Sequence, residues 1–248
     1  MSSPVIVGIS TKTYLGYRSS LDWLTSVTKI GRMHEAVVSG RLRLFVAPSA
    51  PLLESAVRLA SGTGVVIGAQ DVSEDDAGAH TGDVSASLLA EMGVGLVEIG
   101  HAERRASRGE TSAVIRRKIV RAQDAGLVPL LCVGESQQGD PAEAAAACLA
   151  QIADVSVGPV VIAYEPVWAI GAAQPASPSY VRAVVDAVRG GLPAALASAP
   201  IIYGGSAGPG LLADLHPAVD GLFLGRFAHD PANVLRVLDE AAALAVSV

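Results

Sequence analysis

Val160-Val161-Ile162-Ala163-Tyr164-Glu165-Pro166 is an apolar run that meets a carboxylate and is then stopped by a proline. Val160–Tyr164 lacks the in–out alternation of a half-solvated strand. Strands buried on both faces read this way, and they belong to parallel sheets covered by helices. Before the run lies Ala142–Ala153, rich in alanine and so a good helix former. After it lies Pro166–Pro178, a stretch with no charged residue.

The same unit recurs along the chain. The other candidate strands are Val5–Ile9, Leu42–Ala47, Val65–Ala69, Leu96–Gly100, Leu130–Val133, Ile201–Tyr203 and Leu222–Leu224. The fifth is begun after Pro129, because proline has no N–H to give a ladder. Between the strands, helices are predicted over Ser19–Val38, Ala50–Ala60, Ser85–Met92, Thr111–Ala125, Ala142–Ala153, Ser179–Arg189, Gly208–Leu215 and Pro231–Leu244. Eight alternating pairs imply an α/β fold with a parallel sheet and helical crossovers, closed into a (β/α)8 barrel. An open, doubly wound sheet fits the same alternation. The 248 residues match the roughly 250 of such a barrel. No Ser/Gly/Pro-rich linker divides them, so one domain over 1–248 is expected.

Composition narrows the function classes. Half the residues are apolar and 17% are charged, which excludes a disordered chain. The formal net charge is −6 with no basic run, so nothing points to nucleic acid or an anionic membrane. An anionic substrate would have to be held locally, by backbone amides and one or two cations. Cys132 and Cys148 form no metal or redox motif and suit a reducing compartment. No charged n-region with a long apolar stretch opens the chain, and no apolar run reaches the ~20 residues of a membrane span. The expected location is the cytoplasm.

Polar and glycine-rich residues follow the strands. They are Ser10-Thr11-Lys12, Gln70-Asp71, His101-Ala102-Glu103, Gly134-Glu135, Glu165-Pro166, Gly204-Gly205-Ser206 and Gly225-Arg226. In a parallel barrel these ends share one face, where barrel active sites lie. Glu165 at that mouth is partly desolvated, which raises its pKa and suits a general base. By position alone, a surface strand-end glutamate reads equally well. His101 begins a helix, whose dipole disfavours imidazolium, so a neutral donor ring is expected. Taken alone, a packed structural histidine is the plainer reading. Lys12 would neutralise a phosphate or a developing oxyanion, although a lone lysine is more often solvated. Pro166–Pro178, with Trp168 and Gly171, is too apolar for a plain solvated loop and reads as a lid. Gly204-Gly205-Ser206 and Gly225-Arg226 expose consecutive amides, a phosphate site after strands 7 and 8. They match no nucleotide-binding loop. The remaining histidines, His34, His80, His216 and His229, have no metal-ligand spacing. Arg104 and Glu110 are expected to form a structural ion pair. Glu98 lies three residues before His101, so alternation turns it to the helix layer, into a buried ion pair.

Together these residues resemble the triosephosphate isomerase family, along the whole chain. The segments that carry the resemblance are Ala163-Tyr164-Glu165-Pro166-Val167-Trp168-Ala169-Ile170-Gly171, Gly100-His101-Ala102-Glu103-Arg104-Arg105, Ile202-Tyr203-Gly204-Gly205-Ser206 and Cys132-Val133-Gly134-Glu135. The resemblance implies an isomerase of small sugar phosphates working through an enediolate, without metal or organic cofactor. It implies Glu165 as base, His101 polarising the oxygens, Lys12 as positive charge and Glu103 as organiser. Ser10, Gly171, Ser206, Gly225 and Arg226 would meet the substrate and its phosphate. It also implies a homodimer, with Thr81 of the loop Gly78–Asp83 reaching the partner's Lys12.

Three departures surround the substrate. Ser10-Thr11-Lys12 stands where Asn-Trp-Lys is usual, and Ser10 is too short to reach as an Asn amide does. The lid ends Ala172-Ala173-Gln174-Pro175-Ala176, without a second glycine and with Pro175 stiffening it. Gly225-Arg226 replaces a Gly-Gly pair. The implied reaction is therefore either that of triosephosphate isomerase or that of its tetrulose-phosphate relatives. A non-catalytic phosphate-binding paralogue would have no use for Glu165, His101 and Lys12 together.

Overall fold

The computed structural model describes residues 4–153 and 158–245. Strands β1 (Val5–Ser10), β2 (Leu42–Ala47), β3 (Val65–Ala69), β4 (Leu96–Ile99), β5 (Val128–Val133), β6 (Val161–Tyr164), β7 (Ile201–Tyr203) and β8 (Gly221–Leu224) pair in parallel in chain order. β8 returns to β1, with Ile6 beside Gly221 and Ile9 beside Leu224. The barrel is closed, which settles the choice left open by alternation.

Ten α-helices lie among the described residues: α1 (Tyr17–Met33), α2 (Glu35–Val38), α3 (Leu53–Ala60), α4 (Ala86–Glu91), α5 (Ala102–Arg108), α6 (Ser112–Asp124), α7 (Pro141–Ile152), α8 (Pro178–Gly191), α9 (Leu211–Leu215) and α10 (Pro231–Ala245). The helix expected over Ser19–Val38 is two, because His34 is extended at φ −82°, ψ 110°. Ala50–Leu52 is a 3-10 turn preceding α3. Caps follow the rules of short polar side chains. Thr111, Asp140 and Ser177 each accept a backbone N–H of the first turn they open, and Pro141 and Pro178 occupy the first helical position, where no N–H is needed.

The fifth strand starts earlier than expected, at Val128, with Pro129 inside it beside Val97. Val128 donates to Gly95 O on the β4 side. Pro129 therefore turns its missing N–H toward β6, whose pairing begins only at Leu130. No ladder bond is lost there.

Two cores hold the molecule. The outer one lies between strands and helices, with Val7, Leu44, Ile99, Leu131, Ile162 and Leu222 all buried. The inner one fills the barrel with Ile6, Phe45, Leu96, Leu130, Cys132, Val161, Ala163, Ile202 and Phe223. The filled interior leaves chemistry only to the rim.

The ion pair expected of Arg104 and Glu110 is a network of four. Arg104 Nε lies 2.7 Å from Glu110 and its terminal nitrogen 2.5 Å from Asp71. Lys118 Nζ lies 2.6 Å from Asp71 and 2.7 Å from Glu110. Lys118 is buried, and without it two carboxylates share the single charge of Arg104. Lys118→Met is expected to cost about 3 kcal/mol of unfolding free energy. Urea denaturation checks this, and a loss under ~1 kcal/mol would mean that water screens the network.

Candidate active site

The inner core sets the rim by simple alternation. Val161 and Ala163 face the barrel axis, and two residues on Glu165 does the same. Ile6 faces inward, and so, four residues on, does Ser10. Leu96 faces inward, and Glu98 follows it. The expectation for Glu98 is therefore corrected: it turns into the barrel mouth with His101, its Oε1 4.0 Å from His101 Nε2. The reason is Gly100, at φ +73°. That left-handed residue breaks the pleat, so counting from Glu98 to His101 by twos gives the wrong face. No cation pairs with Glu98 among the described residues.

His101 caps α5, its Nδ1 accepting the Glu103 N–H at 3.1 Å. A ring whose Nδ1 accepts carries its proton on Nε2. Nε2 faces Glu165 Oε2 at 3.5 Å. Burial lowers the imidazole pKa to about 4, with the Lys12 charge acting the same way. The ring is thus a neutral donor. Burial, with the Glu98 carboxyl as the next cause, raises Glu165 to about 8. Burial also raises Glu98 to about 7, against the Ser10 hydroxyl and Lys12, which favour its charged form.

Lys12 sits at φ +48°, a strained value for a side-chain-bearing residue. Ser49 and Gln70 fix it by donating to its carbonyl at 2.8 and 3.2 Å. Its ammonium meets Glu103 at 2.5 Å. Burial acts against the Glu103 carboxylate, but the Lys12 hydrogen bond and charge outweigh it and lower its pKa. Glu165 packs on Gly204, where a Cβ would come within 2.8 Å of its Oε1. Gly204 must therefore stay a glycine.

A cleft of about 650 Å³ joins Ser10, Lys12, His101, Glu103 and Glu165 to Gly171, Ser206, Gly225 and Arg226. All the site residues expected from the sequence line it. Pro166–Pro178 lies along its edge and is latched. Ser206 Oγ, at φ +33°, donates to Ala169 O and Ala172 O, both at 2.9 Å. Arg226 reaches Gly171 O at 2.7 Å. Both side chains thus tie the segment Pro166–Pro178 to the loops after β7 and β8. Arg226→Ala is expected to lower kcat/KM about tenfold, the worth of one hydrogen bond to a charged group, mostly through KM. Steady-state kinetics checks it, and an unchanged KM would refute the latch.

Sequence reasoning did not single out the lid's anchors. Glu135 Oε1 receives Trp168 Nε1 at 2.7 Å, Tyr180 OH at 3.0 Å and Tyr164 OH at 3.3 Å. Tyr203 OH receives the Ala176 N–H at 3.1 Å. These partners are 27 to 45 residues apart, so no local pattern announces them. Cys132, inside the barrel, is held well above its usual pKa by burial and then by the Glu165 charge.

The sequence model described as "Triosephosphate isomerase" matches residues 5–241. An L-erythrulose-1-phosphate isomerase from Pectobacterium atrosepticum is 46% identical, covering 97% of this chain and 96% of its own. A triosephosphate isomerase from Acidiphilium cryptum is 40% identical over 80% of this chain and 86% of its own. A second L-erythrulose-1-phosphate isomerase, from Mesorhizobium japonicum, is 37% identical over 82% and 85%. With a closed eight-stranded parallel barrel and a match over nearly its whole length, the chain belongs to the triosephosphate isomerase family.

Proposed function

We propose that this isomerase acts on L-erythrulose 1-phosphate, moving its carbonyl from C2 to C3 to give an erythrulose 4-phosphate. The match that carries this reading is the 46% identity with the Pectobacterium enzyme across 97% of the chain. The triosephosphate isomerase of Acidiphilium cryptum is less similar over a shorter span.

The geometry supports a proton-transfer mechanism. Glu165 removes the C3 proton, and the electrons flow to the carbonyl oxygen. His101 Nε2–H, 3.5 Å from the base, donates to the oxygens as charge develops on them. Lys12 balances that charge. The resulting enediolate regains the proton at C2, and the carbonyl forms at C3. Atoms and electrons balance within the substrate. Amides around Gly171, Ser206 and Gly225 hold the phosphate, and the shut lid excludes water from the intermediate.

The second reading, interconversion of glyceraldehyde 3-phosphate and dihydroxyacetone phosphate, is favoured by the 40% identity with the Acidiphilium enzyme. A coupled assay of both substrates, with Glu165→Gln as blank, decides between them. Preferential turnover of the four-carbon substrate is expected. Turnover of trioses alone would sink the proposal.

A homodimer completes the reading. Residues 75–83 form an exposed loop braced by its own contacts, Ser73 to Asp83 at 2.9 Å and His80 to Asp75 at 3.5 Å. Asp75, His80 and Asp83 offer ligand atoms within 4.8 Å of one another, all exposed. Thr81 in this loop would reach the partner's Lys12. Both cysteines are free and buried, which suits the cytoplasm.

A further inference from the structure

We propose that Glu98 and Ser10 form a subsite for the hydroxymethyl group that a four-carbon keto-phosphate carries beyond its reacting carbons. The Glu98 carboxyl would take the hydrogen bond of the terminal hydroxyl. This rests on the reading of function given above.

The Glu98 carboxyl takes part in no step of the proton transfer. Glu98 is 5% exposed and Ser10 is 3% exposed. Glu98 Oε2 and Ser10 Oγ have no hydrogen-bond partner among the described residues. A buried polar group left unsatisfied costs stability, so its place at a rim calls for a ligand. No carboxylate-to-cation contact like those of the Lys118 network meets Glu98, whose neighbours are the Ser10 hydroxyl and the His101 ring, and its Oε2 has no partner.

The two clefts set the direction of a bound substrate. Gly171, Ser206 and Arg226 lie at the lid end of the cleft. Lys12, His101 and Glu103 are shared with a second cleft that takes in Glu98, away from the lid. Ser10 lines both. A substrate with its phosphate under the lid and its reacting carbons at His101 points its far end at Ser10 and Glu98. Glu98 Oε1 is 4.0 Å from His101 Nε2, so a group one bond beyond an oxygen held by His101 comes within reach.

A triose phosphate ends at the reacting carbons, with only hydrogen pointing that way. It would leave Glu98 unsatisfied. A tetrulose phosphate adds one carbon and one hydroxyl. Ser10, in place of a longer side chain, leaves room for the carbon, and Glu98 accepts from the hydroxyl. Sites built to bind a substrate hydroxyl reject the analogue that lacks it.

The test compares L-erythrulose 1-phosphate with its 4-deoxy analogue, on the wild type and on Glu98→Val, Glu98→Gln and Ser10→Ala. The wild type is expected to prefer the hydroxylated substrate by about 100-fold in kcat/KM. Glu98→Val is expected to shrink that preference to about threefold, with Glu98→Gln between, since an amide oxygen still accepts. Equal losses on both substrates would overturn the subsite, because Glu98 would then act through Glu165 and His101 or through the fold. A wild type without preference would also overturn it. If Glu98→Val does not fold, Glu98→Gln and Ser10→Ala carry the same comparison. A wild type inert toward L-erythrulose 1-phosphate would overturn the reading of function itself. An active wild type whose variants keep the full preference would overturn the subsite alone.

Discussion

Glu165→Gln is expected to lower kcat by about 10³–10⁴-fold, the upper range for a positioned general base. The substitution keeps the shape that packs on Gly204 and removes only the basicity. The same carboxyl should shape the pH profile. Its pKa lies near 8 with the lid latched, against an ordinary 4.5. Water admitted beside the carboxyl as substrate exchanges would relieve the desolvation. The acid limb of kcat/KM is thus expected to bend between 4.5 and about 8, above the usual carboxylate range. Stability should move the other way. Below pH 4.5 the carboxyl is protonated whether the chain is folded or not, and the variant gains nothing. Between 4.5 and about 8 the unfolded chain ionises while the folded one holds its proton. Wild-type stability therefore falls across that window by about 1.4 kcal/mol per pH unit relative to the Gln variant. Denaturation of both proteins at pH 5 and pH 8 checks the sign. Equal stability at the two pH values, or a kcat loss under tenfold, would remove Glu165 from the role of base.

Lys12→Met should be nearly as damaging, with kcat/KM down about 10³-fold. Its ammonium anchors Glu103 at 2.5 Å, and its charge acts on the His101 ring. Losing it removes the charge that meets the oxyanion. It also removes the second cause of the lowered His101 pKa, after burial. The imidazole is therefore expected to titrate at higher pH in Lys12→Met, which nitrogen-15 NMR of the ring would detect. A loss smaller than tenfold in kcat/KM would place Lys12 outside the reaction.

The sequence by itself determined the eight alternating strands and helices and most of the rim. Apolar strands, amphipathic connectors and polar residues at strand ends are local patterns, fixed by the period of each element. Eight of them in one chain leave few arrangements, so Lys12, His101, Glu165 and the two glycine loops were legible at their positions. Closure was not, because alternation is the same in an open sheet, and only the pairing of β8 with β1 decided it. Pro129 within β5 was misread because whether a missing N–H matters depends on where the neighbouring strand begins. The lid's anchors on Glu135 and Tyr203 join residues tens of positions apart, a relation with no period to read. Glu98 shows the physical limit most clearly. Its residue type was visible in the sequence and its facing was not, because one left-handed glycine rotated the chain between it and His101.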